Sequence, residues 1–177
     1  SNILDLFSGV GSFGIECLSR GVKSVVFIEN YNGVLPILKK NLVNLKLANN
    51  YEIIEQNIYD QSLFFKLDKK FDIIFLDPPY KNKNLEDILI NIESTKILNK
   101  NGIIIIHRHK NEQDILPKYY KIIEEKKYGV SKIIFLSNLL RSWGYITIFS
   151  LPECVSGDIF NRVIGMQNNV VFYTNST

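Results

Sequence analysis

The sequence has few of the residues that define several common protein classes. Its 177 residues include two cysteines and one methionine, so neither a disulfide framework nor a cysteine-rich metal site is expected. No apolar run approaches the roughly 20 residues that cross a membrane. The N-terminal region also lacks the basic start of a signal peptide. We therefore expect a cytoplasmic protein without a membrane segment.

An excess of charge of either sign is also missing. The formal net charge is only +3, which allows a polyanionic partner such as a nucleic acid without requiring one. Hydrophobic residues make up 46% of the chain and charged residues 22%, which are values typical of a globular protein with a substantial core.

Strand and helix patterns alternate along the first 140 residues. Continuous apolar runs, such as Gly102–Ile106, indicate strands buried on both faces, as in a parallel sheet covered by helices. The alternation predicts an α/β, doubly wound, Rossmann-like fold with ligands at the carboxyl ends of the strands. Strands are predicted at Ile3–Phe7, Ser24–Glu29, Tyr51–Glu55, Phe71–Leu76 and Gly102–His107, and helices at Ser12–Arg20, Gly33–Leu45 and Leu85–Glu93.

The end of this alternating region and the remaining chain differ in character. Lys118–Lys127 and Val130–Leu136 are predicted to close the sheet as an antiparallel pair, which brings the sheet to seven strands. Residues 141–177 contain four charged residues and no lysine. We therefore predict a domain at residues 1–140 and a C-terminal extension of unknown role at 141–177. Because the chain starts without methionine just before a core-like strand, we also expect an N-terminal segment to precede Ser1.

A glycine-rich turn follows the first predicted strand, in the segment DLFSGVGSFG that runs from Asp5 to Gly14. Glycines allow the backbone to approach a ligand closely, and the N-terminus of the following helix offers unpaired N–H groups. Glu29 ends the next strand, 20 residues after Gly9, where a carboxylate can accept both hydroxyls of a ribose. The pattern also fits a nicotinamide or flavin domain, or a tight turn that merely needs glycine.

Acidic and amide residues near this turn refine the choice of ligand. We expect Asp5 to lie beneath the loop, where it would suit S-adenosylmethionine, whose sulfonium and amino groups are positive and which has no phosphate. Alternatively, Asp5 braces the loop by accepting hydrogen bonds from backbone N–H groups. After the third strand, Asn57 could bond to an adenine edge while Ile58 packs on the ring, although both are also ordinary loop residues.

The most specific chemical signal is Asp77-Pro78-Pro79-Tyr80, directly after a buried strand. An exocyclic amine on a nucleobase is a poor nucleophile because its lone pair is delocalised into the ring. The Asp77 carboxylate and the Pro78 carbonyl could accept hydrogen bonds from the two N–H groups of this amine and direct its lone pair at a methyl group. The prolines fix these acceptors, and Tyr80 offers a face on which an extruded base can stack. A plain Asp-Pro turn is the structural alternative.

With these motifs the chain resembles the class I S-adenosylmethionine-dependent methyltransferases. Within that class it resembles the RsmD family of 16S ribosomal RNA guanine-N2 methyltransferases, over about residues 2–140. The residues that carry the resemblance are the segment LDLFSGVGSFGIE at 4–16, Leu18-Ser19-Arg20-Gly21, Phe27-Ile28-Glu29, Asp77-Pro78-Pro79-Tyr80 and Tyr128-Gly129-Val130-Ser131-Lys132.

The resemblance implies a cofactor, S-adenosylmethionine, and a partner, ribosomal RNA or a small-subunit assembly particle, bound by a monomer without a metal. It implies that Ser8, Gly9 and Gly11 contact the methionine moiety of the cofactor, that Glu29 binds its ribose and that Asn57 faces its adenine. It also implies that Asp77 and Pro78 bind the target amine and that Tyr80 stacks on the base. The family has a basic segment before the glycine turn, which this chain lacks, and residues 141–177 match no part of it.

Basic residues follow the strands at the predicted active edge: Lys81, Lys83, Arg108, His109 and Lys110. We expect them either to contact RNA phosphates or to form an ordinary solvated surface. His107 and His109 lack the cysteine or carboxylate cluster that a metal site would need.

Three alternatives to the RNA methyltransferase remain open. A DNA amino methyltransferase, acting on adenine N6 or cytosine N4, uses the same local chemistry, although Asp77 and the absence of a target-recognition domain favour RNA. A Rossmann-type nicotinamide-dependent oxidoreductase gives Asp77-Pro78-Pro79-Tyr80 no role. A non-catalytic module would bind the cofactor without turnover.

Overall fold

The computed structural model describes residues 1–44, 50–79 and 84–139. These residues form seven strands and four helices. In chain order they are β1 (Asn2–Leu6), α1 (Ser12–Ser19), β2 (Ser24–Ile28), α2 (Leu35–Asn44), β3 (Tyr51–Ile54), α3 (Gln61–Lys66), β4 (Phe71–Leu76), α4 (Leu85–Thr95), β5 (Leu98–His109), β6 (Tyr120–Tyr128) and β7 (Ser131–Asn138).

All seven strands belong to one sheet with the order β3-β2-β1-β4-β5-β7-β6. The first five strands in this order are parallel, whereas β7 runs antiparallel to both β5 and β6. The predicted seven-stranded, mostly parallel sheet with a closing antiparallel pair is therefore confirmed. Gly129 forms the turn of that pair with φ of 56°, a left-handed conformation that glycine adopts readily.

Two apolar clusters lie on opposite faces of the sheet, because successive strand residues point to opposite sides. One cluster joins odd-numbered strand residues such as Phe27 to Cys17 of α1 and Leu38 of α2. The other joins even-numbered residues such as Leu76 to side chains of α3 and α4, among them Ile88. Helices therefore cover both faces, as the unbroken apolar runs predicted.

The structure differs from the sequence prediction in one additional helix and in several element boundaries. Helix α3 was not predicted, and it forms because the Asp60 carboxylate accepts a hydrogen bond from the Ser62 N–H while apolar side chains of the helix are buried. Strand β5 starts at Leu98 rather than Gly102, since Leu98 pairs with Phe71 of β4. Helix α2 begins at Leu35, two residues later than predicted.

The order of the strands reverses between β1 and β4, and this reversal positions the site. In such sheets a crevice opens beyond the carboxyl ends of the two strands where the chain switches direction. The register aligns Ile28, Leu6, Leu76 and Ile106 across β2, β1, β4 and β5. The residues that follow these four therefore emerge side by side at one edge. In the described ranges, no helix has the length and apolar character needed to cross a membrane.

Candidate active site

The glycine-rich turn leaves β1 in an unusual backbone conformation. Phe7, Gly9 and Gly11 all have positive φ, at 61°, 54° and 87°. A Cβ atom placed on Gly9 would have no atom within 4 Å, so this part of the turn faces open space, where a ligand could approach the backbone. A Cβ on Gly11 would lie 2.5 Å from Leu38 Cδ1, so Gly11 packs against α2.

Ser8 ties the turn to the neighbouring strand. Its backbone N–H and its hydroxyl both donate to the carbonyl oxygen of Ile28, at 3.1 and 2.9 Å. The side chain is buried, with 8% of its surface exposed. The Ser8 hydroxyl therefore donates its proton to β2, and this bond holds the glycine turn against that strand.

Glu29 lies next to the glycine turn, as its spacing predicted. Its Oε2 atom accepts a hydrogen bond of 2.8 Å from the Gly9 N–H. Its Oε1 atom accepts bonds of 2.9 Å from the backbone N–H groups of Asn30 and Tyr31. A carboxylate has about four lone-pair positions, and these three bonds use most of them. Glu29 therefore holds two loops together at the edge of the site.

Asp5 is buried beneath the turn, with 1% of its surface exposed. Its Oδ2 atom accepts a 3.0 Å hydrogen bond from the Gly14 N–H in the first turn of α1, which confirms a bracing role. Its Oδ1 atom has no hydrogen-bond partner among the described residues. Burial raises the pKa of Asp5 well above its ordinary value, and the negative charges of Asp77 and Glu29 raise it further.

The packing around Asp5 explains the last glycine of the motif. A Cβ atom on Gly14 would lie 2.3 Å from Phe27 Cε1 and 2.9 Å from Asp5 Oδ2. These distances are too short for any side chain, so α1 can approach the sheet only with glycine at this position. The motif glycines thus have separate functions: Gly9 opens the turn to space, and Gly14 allows the helix to pack.

Of the two residues expected to bind adenine, Asn57 is exposed and Ile58 is buried. The Asn57 side-chain oxygen accepts a 3.0 Å hydrogen bond from the Tyr59 N–H, so this local turn sets the orientation of the exposed amide. Ile58 is only 3% exposed and belongs to the core cluster that packs under α3 and α4. Little of its side chain is therefore accessible to an adenine ring.

Asp77 is the first residue after β4 and lies on the other side of the crevice from the glycine turn. Its N–H donates to the Leu6 carbonyl at 3.3 Å, and its Oδ1 atom lies 2.7 Å from His107 Nδ1. Pro78 is buried, whereas Pro79 is exposed, and the Pro79 carbonyl accepts a 3.3 Å hydrogen bond from Arg108 Nη1. Tyr80, Lys81 and Lys83 lie outside the described residues.

Arg108 fits neither of the two expectations for it, a contact with RNA phosphates or a solvated surface. Arg108 is 1% exposed, and its Nε and Nη2 atoms donate to the two carboxylate oxygens of Asp114 at 3.0 and 2.7 Å. A guanidinium that is buried and bidentately paired cannot reach a solvent-exposed phosphate. Its bond to Pro79 instead makes it a support for the loop that carries Asp77.

Two side chains at this edge were not assigned to the active site from the sequence. His107 contacts Asp77, and the signal was its place directly after Ile106, the register partner of Leu76. Tyr59 places its ring 5.9 Å from that of Phe7, and no sequence pattern marks it. Partial burial raises the pKa of Tyr59, while the positive charge of Arg108 lowers it. In the part of the chain that is described, no group of three or more His, Cys, Asp or Glu side chains is arranged for a metal.

Known proteins similar to this chain share both its sequence and its fold. The ribosomal RNA small subunit methyltransferase D of Haemophilus influenzae is 34% identical over 131 residues, which are 73% of this chain and 68% of that relative. The protein of the same name from Escherichia coli is 30% identical over 127 residues, 71% of this chain and 63% of the relative. The chain thus spans 63–68% of the length of these relatives.

Solved structures agree with this similarity. A conserved hypothetical protein of Streptococcus pyogenes superposes with a TM-score of 0.70 at 27% identity, covering 80% of this chain and 88% of that one. A Haemophilus influenzae structure put forward as a methylase superposes with a TM-score of 0.69 at 34% identity, covering 78% and 87%. The family model described as conserved hypothetical protein 95 matches residues 1–137. The chain therefore belongs to this family, the RsmD family of methyltransferases, as its motifs predicted.

Proposed function

We propose that this protein transfers a methyl group from S-adenosylmethionine to the exocyclic N2 amine of a guanine in small-subunit (16S) ribosomal RNA. One observation carries the proposal: the glycine turn after β1 and Asp77 after β4 meet across the strand-order reversal, linked by the bond from the Asp77 N–H to the Leu6 carbonyl. This arrangement suits a donor held by the turn and an amine held by Asp77. The names of the relatives, ribosomal RNA small subunit methyltransferase D, support the choice of RNA.

The charges at this edge suit a cationic cofactor. The carboxylates of Glu29 and Asp77 supply negative charge there, and both raise the pKa of the buried Asp5. A pyrophosphate would be repelled there, whereas the sulfonium and amino groups of S-adenosylmethionine would be attracted. The buried Asp5 Oδ1 atom, which has no partner in the described part of the chain, is an acceptor of the kind that a positive group would engage.

The turn itself provides the remaining contacts for the cofactor. Gly9 faces open space and would let the methionine moiety lie against the backbone. Glu29 would bind the ribose hydroxyls by exchanging part of its present bonds to Gly9, Asn30 and Tyr31. When bound, the cofactor supplies an electrophilic methyl group.

The residues after β4 would prepare the target amine. The Asp77 carboxylate and the Pro78 carbonyl would accept hydrogen bonds from the two N–H groups of the amine. These bonds favour a pyramidal nitrogen whose lone pair points away from both acceptors. Residues 77–79 are held in place before the substrate arrives, because the Leu6 carbonyl accepts from the Asp77 N–H and Arg108 donates to the Pro79 carbonyl. Such positioning can supply on the order of 7–11 kcal/mol of the barrier, so no covalent enzyme intermediate is required.

A competition experiment tests the choice of substrate. The full chain is incubated with labelled S-adenosylmethionine, small-subunit particles and double-stranded DNA in the same reaction. We expect label in 16S ribosomal RNA and none in DNA. Labelling of the DNA alone would replace the RNA assignment by an adenine N6 or cytosine N4 methyltransferase.

A binding experiment tests the choice of cofactor. S-adenosylhomocysteine should raise the melting temperature of the protein, because ligands that bind only the folded state stabilise it by mass action. NAD is the matched control, since it shares the adenosine part but carries a pyrophosphate. Stabilisation by NAD and not by S-adenosylhomocysteine would support the Rossmann-type oxidoreductase instead.

A further inference from the structure

His107 is a buried histidine beside the residue proposed to bind the target amine. It is 4% exposed, and its Nδ1 atom lies 2.7 Å from Asp77 Oδ1. The contact follows from the register of β4 and β5, because Leu76 pairs with Ile106 and the next residue on each strand faces the other. Two titratable groups thus meet at the edge where methyl transfer is proposed.

The contacts of the imidazole ring indicate which of its nitrogens donates a hydrogen bond. An ionised carboxylate only accepts hydrogen bonds, so the Nδ1 atom of His107 donates to Asp77. The Nε2 atom is buried and has no hydrogen-bond partner within the described ranges. The Nδ1 atom therefore carries the proton that binds Asp77.

This geometry decides between two roles that a histidine next to a carboxylate can have. A proton relay needs a second partner on the far nitrogen, to which the proton can be passed, and the described residues provide none at Nε2. An orienting residue needs only one firm bond, and the 2.7 Å contact to Oδ1 provides it. The loop bonds from Leu6 and Arg108 hold the backbone around Asp77, whereas His107 holds the carboxylate itself.

We propose that His107 is a positioning residue for methyl transfer, whose Nδ1–H bond orients the Asp77 carboxylate toward the target amine. This inference rests on the proposed function, in which Asp77 accepts a hydrogen bond from an N–H group of the amine. His107 itself does not touch the substrate. Its contribution is to keep one carboxylate oxygen directed at β5, so that the carboxylate plane is set before the amine binds.

Two substitutions of similar size test this role. His107→Asn keeps an N–H donor close to the position of Nδ1, and His107→Leu has nearly the same shape without a donor. With the full chain and small-subunit particles, we expect His107→Leu to lower kcat by about 10- to 100-fold, and His107→Asn to recover most of that loss. The KM for the particles and the affinity for S-adenosylhomocysteine should change by less than about threefold in both variants.

The outcomes separate positioning from a purely structural role. Equal kcat values for the Asn and Leu variants would overturn the proposal, because only one of them carries the donor. A parallel fall of cofactor affinity and kcat in both variants would also overturn it and would indicate a damaged fold. Their melting temperatures, measured alongside, identify that case.

A spectroscopic test is independent of the substrate. The chain has two histidines, so the ring nitrogen signals of ¹⁵N-labelled protein can be assigned with a His109→Gln variant. We expect the signals of His107 to show a proton on Nδ1. A ring protonated at Nε2 alone would contradict the proposal. If wild-type protein methylated no RNA while His107 showed the expected tautomer, the proposed function would fail and the Asp77 contact would stand.

Discussion

The strongest single stability prediction concerns Asp114, the buried partner of Arg108. The two side chains are 7% and 1% exposed and share two hydrogen bonds, of 3.0 and 2.7 Å. Asp114→Ala removes the bidentate carboxylate and leaves the buried guanidinium with the Pro79 carbonyl and the more distant Glu112 carboxylate. Breaking a buried pair in this way costs about 3–5 kcal/mol of the free energy of unfolding, a large part of the total for a domain of this size.

A second carboxylate near the same guanidinium, that of Glu112, offers a matched control variant. Glu112 also approaches Arg108 Nη2, but at 3.7 Å and with 38% of its side chain exposed. Exposed pairs of this kind contribute between about 0 and 1 kcal/mol, so Glu112→Ala should have little effect. Both variants lose one carboxylate near the same cation, and they differ in burial and in hydrogen-bond geometry.

Urea unfolding followed by circular dichroism measures both variants. The slope with urea concentration should be unchanged, while the midpoint of Asp114→Ala falls far below that of wild type and Glu112→Ala stays near it. A cost below about 1 kcal/mol for Asp114→Ala would refute the reasoning, because it would mean that the Arg108 charge is not buried as described. Equal costs for the two variants would refute it in the same way.

Three further predictions follow from the site. Gly14→Ala should destabilise the protein by at least about 1–3 kcal/mol in the same assay, since its Cβ would lie 2.3 Å from Phe27 Cε1. Folding favours protonated Asp5, so wild-type stability should fall as pH rises from the ordinary pKa of 3.8 toward the raised value; a pH-independent stability difference between wild type and Asp5→Asn would contradict this. Glu29→Gln should weaken S-adenosylhomocysteine binding by at least about tenfold in calorimetry. Glu55→Gln, exposed after β3, should leave it unchanged.

The fold was largely predictable because its signals are local. Unbroken apolar runs identify the parallel strands, and glycine, proline and charge patterns separate them from the helices. Helix α3 escaped prediction because it has only six residues, and its start depends on the Asp60 cap. The start of β5 escaped because polar residues follow Leu98, and its pairing with Phe71 becomes visible only in the assembled sheet.

The site was predictable where its residues are consecutive in sequence. The glycine turn and Asp77 were located from their motifs, and the spacing of Glu29 from Gly9 anticipated a contact that the structure contains. The roles of Arg108 and His107 were not predictable, because they depend on burial and on contacts with residues about 30 positions away. A basic side chain after a strand looks the same in sequence whether it faces RNA or supports a loop.

Chemical identification of the product tests the central claim most directly. Small-subunit particles are treated with the full chain and S-adenosylmethionine, and the nucleosides of the digested RNA are identified by mass spectrometry. We expect N2-methylguanosine from wild type and none from Asp77→Ala, although this variant should still bind S-adenosylhomocysteine. A different methylated nucleoside, or an unchanged yield of N2-methylguanosine from Asp77→Ala, would contradict the account.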